Sequence, residues 1–104
     1  MKIQFNSDKN IQGTEKLETF VSDKINRSLK RFAGKITRIE VHLSDQNAQK
    51  ASPDDLQCKI EARIEGLKPI IVTGKNNTKE KALYDAIDKM NTALDTLIGK
   101  LKAK

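Results

Sequence analysis

Tryptophan is absent, tyrosine occurs once and phenylalanine three times, so any core this chain builds must be aliphatic. A single cysteine excludes an internal disulfide framework and a multi-cysteine metal site, and points to a reducing, cytoplasmic setting. His42 is the only histidine. No apolar run approaches the roughly 18 residues that cross a bilayer. The opening Met1-Lys2-Ile3-Gln4-Phe5-Asn6 lacks the apolar stretch of a signal peptide. With Lys2 in second place and no cysteine near the C-terminal end, a lipid anchor is not expected. A glycine-rich phosphate loop is also missing, since Gly74 stands alone before Lys75.

What the chain has is charge. Among 104 residues, 20 are Lys or Arg and 14 are Asp or Glu, for a net charge of +6. The excess is uneven: residues 1–38 carry +5, residues 39–74 carry −2 and residues 75–104 carry +3. Such asymmetry favours a polyanionic partner. The length fits one domain, 1–104, with a single core.

Hydrophobic periodicity sets the order of elements. Ile3 and Phe5 alternate with polar residues as a short first strand. After a mostly polar stretch, Thr14 is a good N-cap, and Glu15 and Glu18 suit the positive end of a helix. Leu17, Phe20, Val21, Ile25, Leu29 and Phe32 follow at helical spacing, with Gly34 as the stop. The period then changes to two. Ile39, Val41 and Leu43 mark a second strand; Leu56, Cys58, Ile60, Ala62 and Ile64 mark a third. Between them, residues 44–55 hold no apolar run and are expected to form a long mobile loop. A tight connection at Glu65-Gly66-Leu67-Lys68 leads to a fourth strand, Pro69 to Gly74. The second helix carries the stripe Leu83, Ala86, Ile87, Met90, Leu94, Leu97, Ile98 and Leu101. The order β-α-β-β-β-α predicts an α+β two-layer sandwich: a four-stranded mixed sheet with both helices packed on one face.

Catalytic chemistry has little to work with. His42 falls on the outward side of its strand, and Cys58 falls inward, where it acts as a small apolar residue. Asp54-Asp55 sits beside Pro53 and suits a turn. An enzyme is therefore not expected, nor a cofactor, metal or small-molecule substrate.

The basic residues are more informative. On a wheel of about 100° per residue with Leu17 at zero, Lys30, Lys16, Arg27, Arg31 and Lys24 fall between about 220° and 340°, and only Asp23, at about 240°, breaks this basic side. Glu18 and Glu15 fall on the opposite flank, at about 100° and 160°. In the second helix, with Leu83 at zero, Lys89 and Lys100 fall at about 240° and 260°, and Asp95 and Asp88 at about 120° and 140°. Tyr84 falls at about 100°, at the edge of the apolar stripe. Lys102 and Lys104 extend the basic tail. The uncovered sheet face mixes signs and carries no Phe, Tyr or Trp, which argues against base stacking there. Helix flanks touching phosphates suit duplex or folded RNA better.

Several stretches together resemble the ribosome hibernation-promoting factors, also called ribosome-associated inhibitors and formerly sigma-54 modulation proteins. They are the opening Met-Lys-Ile-Gln-Phe, Phe20-Val21-Ser22-Asp23-Lys24, Phe32, and above all Leu83-Tyr84-Asp85-Ala86-Ile87-Asp88. The last is similar to the family's Met/Leu-Tyr-x-Ala-Ile-Asp. The resemblance covers nearly the whole chain and implies a short form without the C-terminal dimerisation domain of the longer members. It implies a cytoplasmic, bacterial, monomeric stress-response protein. Such a protein binds the rRNA of the small ribosomal subunit near the decoding region and blocks tRNA and mRNA. The rRNA-binding candidates are then Lys16, Lys24, Arg27, Lys30, Arg31, Lys89, Lys100, Lys102 and Lys104. The family's basic stripe on the second helix is interrupted here, where Ala93 takes a Lys position and Thr96 an Arg position. Two alternatives stand beside this reading: a diverged protein-binding regulator of the same fold, and a double-stranded RNA-binding module.

Overall fold

In a computed structural model, which describes residues 1–9, 11–45 and 56–102, the alternating segments pair into one sheet of order β1-β2-β3-β4. The strands are β1 (Lys2–Ser7), β2 (Ile36–Asp45), β3 (Leu56–Ile64) and β4 (Ile70–Asn76); the helices are α1 (Glu15–Ser28) and α2 (Lys79–Lys102). β1 runs parallel to β2, with Ile3 beside Ile39 and Phe5 beside Val41. β2–β3 and β3–β4 are antiparallel and set Val41, Ile60 and Val72 in one row across the sheet. A period of two thus places every inward residue on the same face.

Both helices cover that face. Val21 and Ile25 of α1, with Leu29 just beyond it, join Ala82, Leu83, Ala86, Ile87, Met90, Leu94 and Ile98 of α2 in one core with the inward strand residues. α2 lies over β3 and β4, and α1 lies on the β1 side. No described polar or charged residue is buried. The mixed sheet and two-layer α+β order expected from periodicity are present.

α2 approaches β4 closely at one point. A Cβ on Gly74 would lie 2.5 Å from the Ala82 carbonyl oxygen and 2.5 Å from the Ala86 nitrogen. Only glycine lets the strand and helix backbones meet at this distance. At the β3–β4 turn, Gly66 has φ of 79°, a left-handed conformation that suits glycine.

β4 runs Ile70–Asn76 rather than Pro69 to Gly74, and three larger departures from expectation stand beside it. α1 ends at Ser28, not at Gly34, because Leu29 (φ −109°, ψ 16°) leaves helical geometry. A single 3₁₀ turn, Lys30–Phe32, follows and rotates Phe32 into the core. Ile11, inside the stretch read as mostly polar, is buried, anchored by a turn in which its N–H donates to the Asp8 carbonyl at 3.2 Å. The predicted 44–55 loop begins later, since Ser44 and Asp45 belong to β2; residues 46–55 lie outside the described residues. No helix among the described residues is long and apolar enough to cross a membrane.

Candidate nucleic-acid interface

α1 begins where Thr14 accepts a hydrogen bond from the Leu17 N–H at 3.1 Å. Glu15 and Glu18 occupy its first turn and Arg27 its last, an arrangement matched to the helix dipole. Lys16, Arg27 and Lys30 are exposed, and among the described residues none of them takes part in an ion pair.

Lys24 and Arg31 sit differently. Lys24 is half-buried, its ammonium 5.5 Å from the centre of the Tyr84 ring and 5.9 Å from that of Phe20. Phe20 and Tyr84 stand 6.5 Å apart at a 56° tilt across the seam between α1 and α2. The ammonium itself thus lies within cation–π reach of both rings. Arg31 belongs to the 3₁₀ turn rather than to α1, so the helical wheel does not position it. Its guanidinium lies 4.5 Å above the Phe32 ring and donates to Asp95 of α2 at 2.7 Å. Lys24 and Arg31 therefore face α2, while Lys16, Arg27 and Lys30 stay exposed.

In α2, Tyr84 and Asp95 look toward α1, while Lys89 looks the other way. Its ammonium donates to the Thr73 carbonyl on the open edge of β4 at 2.7 Å. On the same side, Asn76 donates to Asp85 at 3.0 Å. The described candidate cations are thus not all on one side. Lys16, Lys24, Arg27, Lys30 and Arg31 occupy α1 and the turn after it; Lys89 lies across α2 from them. Lys100 is exposed near the α2 end, Lys102 lies within α2, and Lys104 lies outside the described residues.

Three members of this arrangement were not singled out as site residues by sequence reasoning: Phe20, Tyr84 and Asp95. The signal existed, since Tyr84 and Asp95 share one flank of the α2 wheel. A wheel does not say which flank meets the neighbouring helix.

The open sheet face shows Lys2, Gln4, His42, Lys59 and Arg63 exposed, with Glu40 and Glu61 half-buried between them. Arg38 donates to Gln4 and Glu40, and Arg63 to Glu61 at 2.9 Å, so the two opposed carboxylates are each clamped by an arginine. Ile71 of β4 joins this face, 52% exposed. Cys58 is buried, and burial pushes its thiol from 9.0 up to about 12, so it supplies no thiolate near neutral pH. Among the described residues, no group of His, Cys, Asp and Glu is placed to hold a metal.

A family model described as sigma 54 modulation protein / S30EA ribosomal protein matches residues 4–104. The chain belongs to this family. Its fold is shared with the N-terminal domain of Protein Y from Thermus thermophilus, at a TM-score of 0.74 and 18% identity, covering 93% of this chain and 99% of that one. A ribosomal subunit interface protein from Coxiella burnetii superposes at a TM-score of 0.72 and 17% identity over 100% of both chains. No curated protein matches the sequence.

Proposed function

We propose that this protein is a ribosome-associated hibernation factor that binds the small subunit through the basic flank of α1. The observation that carries the reading is that flank, in a chain whose family match spans residues 4–104. Lys16, Arg27 and Lys30 are exposed and unpaired among the described residues, and Lys24 and Arg31 line the adjoining seam. Cations held on a rigid helix face, with Glu15 and Glu18 turned away, suit the phosphates of folded rRNA. Seated near the decoding region, a body of this size excludes tRNA and mRNA by occupying their space, without turnover. The family match, and relatives of the same fold titled as Protein Y and as a subunit interface protein, support this assignment.

The double-stranded RNA-binding alternative loses ground on topology. β1 is a full member of the sheet, paired in parallel with β2, and that module's α-β-β-β-α order has no place for it. The protein-binding alternative keeps one observation in its favour: Lys89 and Arg31 already have internal partners.

Small-subunit binding measured by sedimentation across a salt series tests the proposal. Each phosphate contact adds roughly 0.7–0.9 to the slope of log affinity against log salt. Arg27→Glu with Arg31→Glu should abolish most binding and flatten that slope, while Glu15→Gln with Glu18→Gln should leave both nearly unchanged. Reversals that bind like wild type, with the same slope, would transfer the assignment to a protein partner.

A further inference from the structure

At one end of the molecule, the turn after Phe32, the β3–β4 connection and the last turns of α2 converge on two adjoining clefts. The larger, about 390 Å³, lies between Gly34, Ile64, Leu67 and Leu101. The smaller, about 270 Å³, lies between Phe32, Gly99 and the Arg31–Asp95 bridge. Lys35 and Ile98 line both. The floor is the edge of the core, since Phe32, Ile64 and Ile98 are all but covered. The rim is different: Leu67 is 38% exposed and Leu101 is 46% exposed. Two of the four large apolar side chains the described surface exposes therefore flank one concavity.

Gly99 adds to this picture. It lies within α2, where glycine costs roughly 1 kcal/mol relative to alanine. A Cβ there would meet nothing within 4 Å, so packing does not require the glycine. Its effect is to lower the wall of the smaller cleft. Charge supplies the second element. Asp95 is already engaged by Arg31, which leaves Glu65 as the other acid lining the clefts. Against it stand Lys35 in the lining and the exposed Lys68 and Lys100, neighbours in sequence of the two rim leucines.

We propose that this double cleft docks an acidic amphipathic segment of a partner protein. Its apolar side chains would sit between Leu67 and Leu101, and its carboxylates would meet Lys35, Lys68 and Lys100. An apolar floor offers phosphates no partner, and the one ring in it, Phe32, is buried beneath the Arg31 guanidinium, so it gives a base nothing to stack on. An amphipathic peptide laid into a groove uses both features, the apolar floor for anchoring and the cationic rim for orientation. The inference goes beyond the ribosomal reading, with which it shares Arg31 in the wall of the smaller cleft and Lys100 beside the larger, so the test uses the two leucines, which that reading does not.

The test is a titration of the whole protein, followed by amide NMR, with a synthetic peptide of leucines at every third or fourth position separated by glutamates. A peptide of the same composition with scrambled leucines and a short RNA duplex serve as comparisons. The designed peptide should move the amides of Gly34, Lys35, Leu67, Gly99 and Leu101. Leu67→Asp and Leu101→Asp, each checked for folding by unchanged amide shifts away from the clefts, should weaken binding by about tenfold, the loss of one anchoring contact. Four results would overturn the proposal: no shifts at millimolar peptide, equal binding of the scrambled peptide, undiminished binding by both leucine variants, or displacement of the same amides by RNA instead. Concentration-dependent shifts of these amides without peptide would assign the cleft to a second copy of the chain and overturn it too.

Discussion

The Arg31 guanidinium and the Asp95 carboxylate meet at 2.7 Å across 64 residues of chain, tying the turn after α1 to the C-terminal half of α2. Their side chains are 59% and 53% exposed, so water screens the pair and its stabilisation is small, roughly 0–1 kcal/mol. In the proposed ribosomal reading, Asp95 occupies the same guanidinium edge that a phosphate would take.

Asp95→Asn should therefore leave the urea midpoint nearly unchanged and tighten small-subunit binding. The freed Arg31 should add roughly 0.7–0.9 to the salt slope. Sedimentation of the variant beside wild type checks both. Weaker binding would mean that the bridge positions Arg31 for its contact rather than competing with it.

Gly74→Ala should destabilise the fold by about 1–3 kcal/mol, because the new methyl collides with two α2 backbone atoms that cannot move independently. Gly34→Ala, where a Cβ meets nothing within 4 Å, should be close to neutral. Urea denaturation of the two variants separates a packing requirement from a general dislike of substituting glycine.

Ile60 and Ile71 face opposite sides of the same sheet, one fully buried and the other 52% exposed. Ile60→Ala should cost roughly 2–5 kcal/mol, as a truncation in the closed layer beneath the helices. Ile71→Ala should change stability by no more than about 0.5 kcal/mol. Leu94→Ala, on the helix side of the same core, should match Ile60→Ala. Equal losses at Ile60 and Ile71 would contradict a one-sided sheet.

Cys58 links stability to alkaline pH. Its thiol titrates near 9.0 in the unfolded chain and at about 12 in the folded protein. Above pH 9 the unfolded chain releases this proton while the folded protein keeps it, so unfolding gains. The contribution is intact below 9 and declines through the window to 12 by about 1.4 kcal/mol per pH unit. Cys58→Ala lacks it, so the stability gap between wild type and Cys58→Ala should narrow as pH rises through this window. A constant gap would show that the thiol is open to solvent.

Much of the architecture is legible in the linear pattern. Alternation in β2 and β3 names the inward residues, and the stripes of α1 and α2 name their buried faces, because burial is imposed at each residue by local geometry. Thr14 as a cap and Gly66 in a turn are equally local. The Leu83-Tyr84-Asp85-Ala86-Ile87-Asp88 stretch carries the family resemblance directly. Less legible were the end of α1 at Ser28, set by Leu29 and Phe32 turning toward the core, and the burial of Ile11 within polar neighbours.

What the sequence alone determined, then, was which face each element buries, the order of the elements, and the surplus of cations along α1; it did not determine every buried residue, since Leu101 of the α2 stripe is 46% exposed. The tertiary structure decided how those cations are used. Lys24 rests against Tyr84, Arg31 is held by Asp95 and Lys89 reaches Thr73. Each contact joins two elements: the first two depend on how α1 and α2 are set side by side, the third on how α2 lies against β4. Periodicity describes one element around its own axis; it carries no information about which flank of that element meets the next.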